Sequence, residues 1–210
     1  MPEFEYNWDI LMANSEQMTN CSNTLLRAEY SYNSTSETQL LEERYNTMNA
    51  EQKSAFDTII ASIEDLSENT SEISPPFSSC FFLQGPAGTG KTFVYNTLCN
   101  YLRGKRKVVA CVASSGIAAL LLPGGRTSHF LFKIPLDIKP NSSCFIRKND
   151  EIAKFLSKTD LIIWDEVPMQ NKLCFEAVDL TLQDIRSNDK LYGLSLIRIS
   201  EPTRPEPISY

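Results

Sequence analysis

The chain has 210 residues, of which 42% are hydrophobic and 22% are charged, and its formal net charge is −6. This length suits one domain with an extension, and the composition is that of a chain able to bury an apolar core. The acidic balance excludes a protein that coats nucleic acid through bulk positive charge, but it does not exclude a local DNA groove. No apolar run approaches the ~18 residues of a membrane helix, so we expect no membrane association.

The amino terminus and the cysteines indicate an intracellular protein. The first five residues are acidic and lack the basic and apolar segments of a secretory signal. The six cysteines include no C-x-x-C pair and no metal-ligand spacing, and four of them lie in apolar stretches. This usage favours reduced thiols in the core. A single histidine excludes a His-rich metal site.

The chain divides into three regions by composition. Residues 1–47 are rich in Ser, Asn, Thr and Glu, and we predict a poorly determined polar extension. Residues 48–193 carry the periodic apolar segments of a folded lobe. Residues 194–210 contain several prolines and resemble a translated sequencing adapter, so we interpret them as an unstructured tail of non-native origin. An ordinary disordered tail is the alternative.

Helices and strands alternate through the central region. A helix is predicted to begin at Asn49, which has Gln52 three residues later in the pattern of a capping box. A surface loop over 67–79 follows it. The remaining predicted elements are strands at 80–83, 108–113 and 161–164 and helices at 91–103, 116–122, 150–157 and 172–187. This alternation predicts an α/β fold with a parallel sheet and helices on both of its faces.

Residues 85–92 match the phosphate-binding pattern G-x-x-x-x-G-K-[ST] between a predicted strand and a predicted helix. Glycines let the backbone N–H groups surround phosphates, and the helix start adds a positive dipole end. Lys91 is expected to reach the β- and γ-phosphates of ATP, and the Thr92 hydroxyl to hold Mg²⁺. The predicted nucleotide-binding residues of the loop are Gly85, Pro86, Ala87, Gly88, Thr89, Gly90, Lys91 and Thr92.

The apolar strand at 161–164 ends in the acid pair Asp165 and Glu166. Following a phosphate loop, an acid at such a strand end supports Mg²⁺, so Asp165 is the predicted metal residue with Thr92. A second acid is suited to accept a proton from the attacking water, which makes Glu166 and Lys91 the predicted catalytic residues. A solvated turn is the alternative for the pair taken alone.

Four motifs in order carry a family resemblance: Asn-Ala-Glu-Gln at 49–52, the phosphate loop, the block Ser-Ser-Gly-Ile-Ala-Ala at 114–119 with its continuation to 129, and Trp-Asp-Glu-Val-Pro-Met at 164–169. The set resembles the petite integration frequency (PIF) family of DNA helicases, in the variant carried by Helitron-type transposons and their eukaryotic relatives. The resemblance implies a RecA-like P-loop NTPase fold. Of its two lobes, we expect the first alone, in incomplete form.

The resemblance also implies further site residues. Gln52 is expected to hydrogen-bond the adenine, a role compatible with helix capping. Ser114, Ser115 and Gly116 correspond to the block that contacts single-stranded DNA, and a simple helix cap is the alternative for them. His129 and Phe130 fall in the following motif, where Phe130 either stacks a base or belongs to the core.

By resemblance, the expected function is ATP-dependent 5′–3′ translocation on single-stranded DNA and duplex unwinding, in repair, recombination and telomere maintenance, in the nucleus or mitochondrion. ATP and Mg²⁺ are the expected cofactors and single-stranded DNA the expected partner. The second lobe and its arginine finger are not found in residues 1–210, so we expect weak ATP binding and little motor activity. Two alternatives remain: another P-loop ATPase of the AAA type, and a non-catalytic, decayed transposon fragment.

Overall fold

A computed structural model of the chain describes residues 23–68, 80–86, 88–194 and 196–200. Two helices come first, α1 (Thr24–Tyr30) and α2 (Ser34–Thr47), followed by α3 (Ala50–Glu68). Strand β1 (Cys80–Leu83) precedes α4 (Lys91–Gly104), and β2 (Val108–Ala113) precedes α5 (Gly116–Leu120). The chain continues with β3 (Arg126–Thr127), α6 (Ser128–Phe132), α7 (Glu151–Ser157), β4 (Thr159–Asp165), α8 (Lys172–Arg186) and β5 (Leu196–Ser200).

The five strands form one sheet in the order β1-β5-β4-β2-β3, and every neighbouring pair is parallel. Strand β2 is buried along its whole length because helices cover both faces of the sheet. Its alternate residues divide between two apolar clusters. Val109 and Cys111 face α3 and α4, while Ala110 and Val112 face α7 and α8. The predicted α/β fold with a helix-covered parallel sheet is therefore confirmed.

The capping box at the start of α3 forms as predicted. The backbone N–H of Asn49 donates to Gln52 Oε1 at 3.1 Å, and the backbone N–H of Gln52 donates to Asn49 Oδ1 at 2.9 Å. The apolar face of the helix is buried, with Phe56 and Ile59 only 4% and 2% exposed. Helix α3 extends to Glu68, so the expected loop begins later than predicted, and its remainder at 69–79 lies outside the described residues.

The prediction of a poorly determined extension at 1–47 is wrong for residues 23–47, which form α1 and α2; residues 1–22 lie outside the described residues. Polar contacts attach both helices to α4. Glu29 of α1 forms a buried ion pair with Arg103, and Glu37 of α2 accepts a hydrogen bond from Asn100 at 2.6 Å. Composition alone marks such a segment as solvent-exposed, since it does not show which polar residues find buried partners.

The prediction of an unstructured tail at 194–210 is wrong for Leu196–Ser200, which forms β5. Residues 201–210 lie outside the described residues. Strand β5 pairs with β1 on one side and β4 on the other, as in the pairs Ile197 with Cys80 and Ile197 with Ile162. The short apolar run is typical of a buried strand, and the gap between β1 and β4 supplies hydrogen-bond partners on both sides. The adapter origin of this segment stays a hypothesis.

None of the helices in the described ranges combines the length and apolar character that a bilayer-spanning segment requires.

Candidate functional site

The predicted phosphate loop lies between β1 and α4, as the sequence motif requires. Gly88 and Gly90 have φ angles of 79° and 82°, a left-handed region that residues with a Cβ rarely adopt. A Cβ on Gly90 would also lie 2.5 Å from Gln52 Nε2. The left-handed backbone conformation therefore requires the last glycine, and a Cβ there would also displace the side-chain amide of Gln52. Ala87 of the predicted loop lies outside the described residues.

Lys91 and Thr92 form the first turn of α4, where the backbone N–H groups point toward the loop. The Lys91 ammonium group donates to the carbonyl oxygens of Gly85 and Pro86, at 2.5 and 3.0 Å. Its side chain lies within the loop and the residue is only 8% exposed. This holds a positive charge beside the backbone of the loop, where an anion such as phosphate requires it.

Gln52 lies against the loop from the side of α3. Its Nε2 donates to the carbonyl oxygen of Thr89 at 2.9 Å, while its Oε1 takes part in the capping box. The capping role is thus confirmed, and the contact with Thr89 joins α3 to the phosphate loop. The half-buried amide lies beside the loop, but adenine contact by Gln52 stays a prediction.

Asp165 ends β4 and Glu166 follows it at the carboxyl edge of the sheet, the edge at which β1 leads into the phosphate loop. Because only β5 separates the two parallel strands, their backbones lie about 10 Å apart. Asp165 Oδ1 accepts a hydrogen bond from the Glu166 amide at 3.0 Å, and Glu166 has a left-handed φ of 54°. The structure therefore brings the acid pair and the loop to one end of the sheet.

The oxygen atoms of Thr92 and Asp165 fit a Mg²⁺ ion in chemical type. No group of three or more His, Cys, Asp or Glu side chains suited to a metal occurs in the part of the chain that the structure describes. Such a cluster is not needed, since Mg²⁺ in nucleotide sites takes one or two protein oxygens and completes its shell with phosphates and water.

A second set of predicted residues lies at the same edge, after β2 and β3. The pairing of Ala113 with Thr127 places the segments that follow these strands side by side, which brings Ser114, Ser115 and Gly116 near the start of α6. His129 is half-buried, and Phe130 is 66% exposed while Phe132 is 1% exposed. Phe132 therefore belongs to the core, and the exposed Phe130 ring is accessible to a ligand.

Ser115 joins the two sets of residues, a contact that no motif in the sequence indicates. Its Oγ donates to Glu166 Oε2 at 2.8 Å and accepts from the Ala118 amide at 3.2 Å, so the predicted helix cap is present and carries a second contact. The Ser114 amide donates to the carbonyl oxygen of Asp165 at 3.2 Å. The ends of β2 and β4 are thus directly connected.

Two arginines of the basic turn at 103–107 are structural. Arg103 is only 2% exposed and pairs with Glu29. Arg106 donates to the carbonyl oxygens of Tyr30 and Tyr32, at 3.1 and 3.0 Å. Both arginines therefore hold the amino-terminal helices in place. The role of Arg103 could be recognised only from its carboxylate partner, which lies more than 70 positions away in the sequence.

A phosphate loop after the first strand, a terminal acid pair and a helix-covered parallel sheet define a P-loop NTPase lobe of the RecA-like type. The family model of PIF1-like helicases matches residues 47–199, and the chain belongs to this family. Family membership also decides against the AAA-type alternative.

Named relatives agree with this assignment. The ATP-dependent DNA helicase Pif1 of Psychrobacter sp. is 33% identical over 114 residues, which are 53% of this chain and 17% of that protein. The ATP-dependent DNA helicase PIF4 of Trypanosoma brucei brucei is 33% identical over 103 residues, which are 47% of this chain and 12% of the relative. The chain thus spans less than a fifth of either relative's length.

Among solved structures, Pif1 helicase from Bacteroides in complex with ADP-AlF3 and ssDNA has a TM-score of 0.54 and 25% identity to this chain. The similarity covers 72% of this chain and 33% of the Bacteroides chain.

Proposed function

We propose that this chain is an ATP-binding lobe of a DNA helicase that couples ATP hydrolysis to 5′–3′ translocation on single-stranded DNA and to duplex unwinding. The observation that carries the proposal is the meeting, at one sheet edge, of the phosphate loop, the acid pair and the segment at 114–116. A Pif1 relative of similar fold has been solved with ADP-AlF3 and single-stranded DNA. Coupling of ATP hydrolysis to movement along a strand requires the nucleotide site and the strand contact to lie close together, and here both lie at one edge of the sheet.

Each residue has a stated role in the proposal. The loop amides and Lys91 bind the β- and γ-phosphates, and Gln52 contacts the adenine. Thr92 and Asp165 hold Mg²⁺, which when bound neutralises phosphate charge. Glu166 accepts the proton of the attacking water. Ser114, Ser115, Gly116, His129 and Phe130 form the contact surface for single-stranded DNA.

Family membership supports a biological setting within the same proposal. Helicases that move along single strands serve DNA repair, recombination and telomere maintenance, and we place the whole protein in the nucleus or the mitochondrion. A reporter fusion of the whole protein would locate it, and a signal confined to the cytosol would contradict this part.

The nucleotide site is tested on the chain itself by thermal unfolding with Mg-ATP. A ligand at 100 times its Kd stabilises the native state by about 2.7 kcal/mol, which raises the Tm of a lobe of this size by about 5–11 °C. Lys91→Ala should abolish this rise. Lys139→Ala, at an exposed lysine outside the loop, is the matched control and should retain it. A rise preserved in Lys91→Ala would refute the phosphate-loop assignment.

The catalytic role is tested in the full-length protein. Glu166→Gln keeps an oxygen able to accept from Ser115 but removes the base, so ATP should bind as before while turnover falls about 10²–10⁴-fold. Preserved turnover would remove Glu166 from the mechanism. Wild-type hydrolysis should rise when an oligodeoxythymidine strand is added, and a lack of stimulation would count against a helicase.

A further inference from the structure

The Ser115 hydroxyl can donate one hydrogen bond, and the carboxylate of Glu166 accepts it. A serine hydroxyl supplies one donor and two acceptor lone pairs. The donor is used on Glu166 Oε2 at 2.8 Å, and one lone pair is used on the Ala118 amide at 3.2 Å. Any other group that is to accept a hydrogen bond from the Ser115 hydroxyl must therefore compete with the carboxylate of Glu166.

Glu166 is held by contacts at both of its ends. Its backbone lies in the left-handed region, at φ 54° and ψ 39°. The backbone N–H of Glu166 donates a hydrogen bond to Asp165 Oδ1 at 3.0 Å, which holds this conformation. Its side chain is directed toward β2 by Ser115, although the two residues are 51 positions apart in the sequence. The hydrogen bond from Ser115 therefore fixes the direction in which the carboxylate points, and turning the carboxylate away from β2 requires that bond to break.

We propose that Ser115 is a positioning residue that restrains the carboxylate of Glu166, and that a nucleic-acid strand bound at residues 114–116 releases this carboxylate when a phosphate oxygen of the strand accepts the Ser115 hydrogen bond in place of Glu166. The inference rests on the proposed function, since it uses Glu166 as the base and residues 114–116 as the strand contact. Strand binding and the Ser115–Glu166 hydrogen bond then compete for one hydroxyl, so each weakens the other by the same free energy.

Hydrolysis in the full-length protein tests the restraint. Ser115→Gly removes the hydroxyl, and glycine still serves as a helix cap at a small cost. The variant should raise strand-free kcat about tenfold, the factor expected from losing one hydrogen bond to a charged group. The KM for ATP should not change, and the stimulation by oligodeoxythymidine should shrink by the same factor. Ser115→Thr keeps the hydroxyl and should rescue wild-type behaviour.

The reverse direction needs no hydrolysis, so it separates this inference from the proposed function. In Glu166→Ala the Ser115 hydroxyl no longer donates to a carboxylate and is available to donate to a strand phosphate. The affinity for a labelled oligodeoxythymidine should therefore rise about tenfold, as measured by fluorescence anisotropy. The same substitution also removes a negative charge near the strand. A cycle with Ser115→Gly corrects for this, because Glu166→Ala should have a smaller effect when no hydroxyl is present.

Three results would overturn the inference. The first is a strand-free kcat that Ser115→Gly leaves unchanged or lowers. The second is a Glu166→Ala gain in strand affinity that is equal with and without the Ser115 hydroxyl. The third is a wild-type protein that binds no strand, and this result alone would also defeat the proposed function.

Discussion

The buried ion pair between α1 and α4 makes a sharp prediction about how the amino-terminal helices are attached. The Glu29 carboxylate accepts two hydrogen bonds from Arg103, at 3.0 and 2.9 Å, and the two side chains are 6% and 1% exposed. Arg103 also donates to the Pro123 carbonyl at 3.1 Å and lies over the Tyr32 ring at 3.9 Å. Glu29→Ala would leave the guanidinium charge buried with only these neutral partners.

Removing one partner of a buried, hydrogen-bonded pair costs about 3–5 kcal/mol. A cost of that size is a large fraction of the ~5–15 kcal/mol by which a typical domain is stable. We therefore expect Glu29→Ala to lower the free energy of unfolding by about 3–5 kcal/mol in guanidinium denaturation followed by circular dichroism.

The matched control is Asp184→Ala, which breaks a surface ion pair with Lys148. The side chains of Lys148 and Asp184 are 55% and 66% exposed. That substitution should change the free energy of unfolding by less than about 0.5 kcal/mol. The double change Glu29→Leu with Arg103→Met should cost less than Glu29→Ala alone, because no unpaired charge remains. A loss below about 1 kcal/mol in Glu29→Ala, or one equal to the control, would refute the reasoning.

Three further predictions follow from single positions. Gly90→Ala should destabilise the lobe by about 1–3 kcal/mol and abolish nucleotide binding, since its φ is 82° and a Cβ would meet Gln52; a wild-type melting curve with Mg-ATP would contradict this. Ser187→Gly should stabilise the lobe by about 0.5–1 kcal/mol, because Ser187 ends α8 at a φ of 52°, and a lower denaturation midpoint would count against the assignment of that cap. A hydrogen bond with Cys99 and burial raise the pKa of the Cys111 thiol, so alkylation at about pH 8 should require unfolding; rapid labelling of both cysteines in the native state would be inconsistent with it.

Local chemistry was readable from the sequence. The capping box of Asn49 and Gln52 depends on residues three positions apart, and the phosphate loop is a contiguous run of glycines between a strand and a helix. Burial of Phe56 and Ile59 followed from helical spacing alone. Patterns of this kind succeed because neighbouring residues determine the backbone conformation directly.

The predictions failed where the determining partner was distant. Helices α1 and α2 were interpreted as a loose extension because polar residues are usually solvated, yet Glu29 finds Arg103 across 74 positions. Strand β5 was interpreted as part of an unstructured tail because prolines follow it and the segment resembles a translated sequencing adapter. Its hydrogen bonding is completed only by the open position between β1 and β4. Neither partner is visible in a window of neighbouring residues.

The same division applies to the candidate site. The order of amino acids is enough to identify the loop lysine, the acid pair at a strand end, and the small residues at 114–116. The hydrogen bonds from Gln52 to Thr89 and from Ser115 to Glu166 depend on how the chain folds. Parallel strands place their carboxyl ends at one edge whatever the length of chain between them, and the strand order β1-β5-β4-β2-β3 determines which of those ends are neighbours.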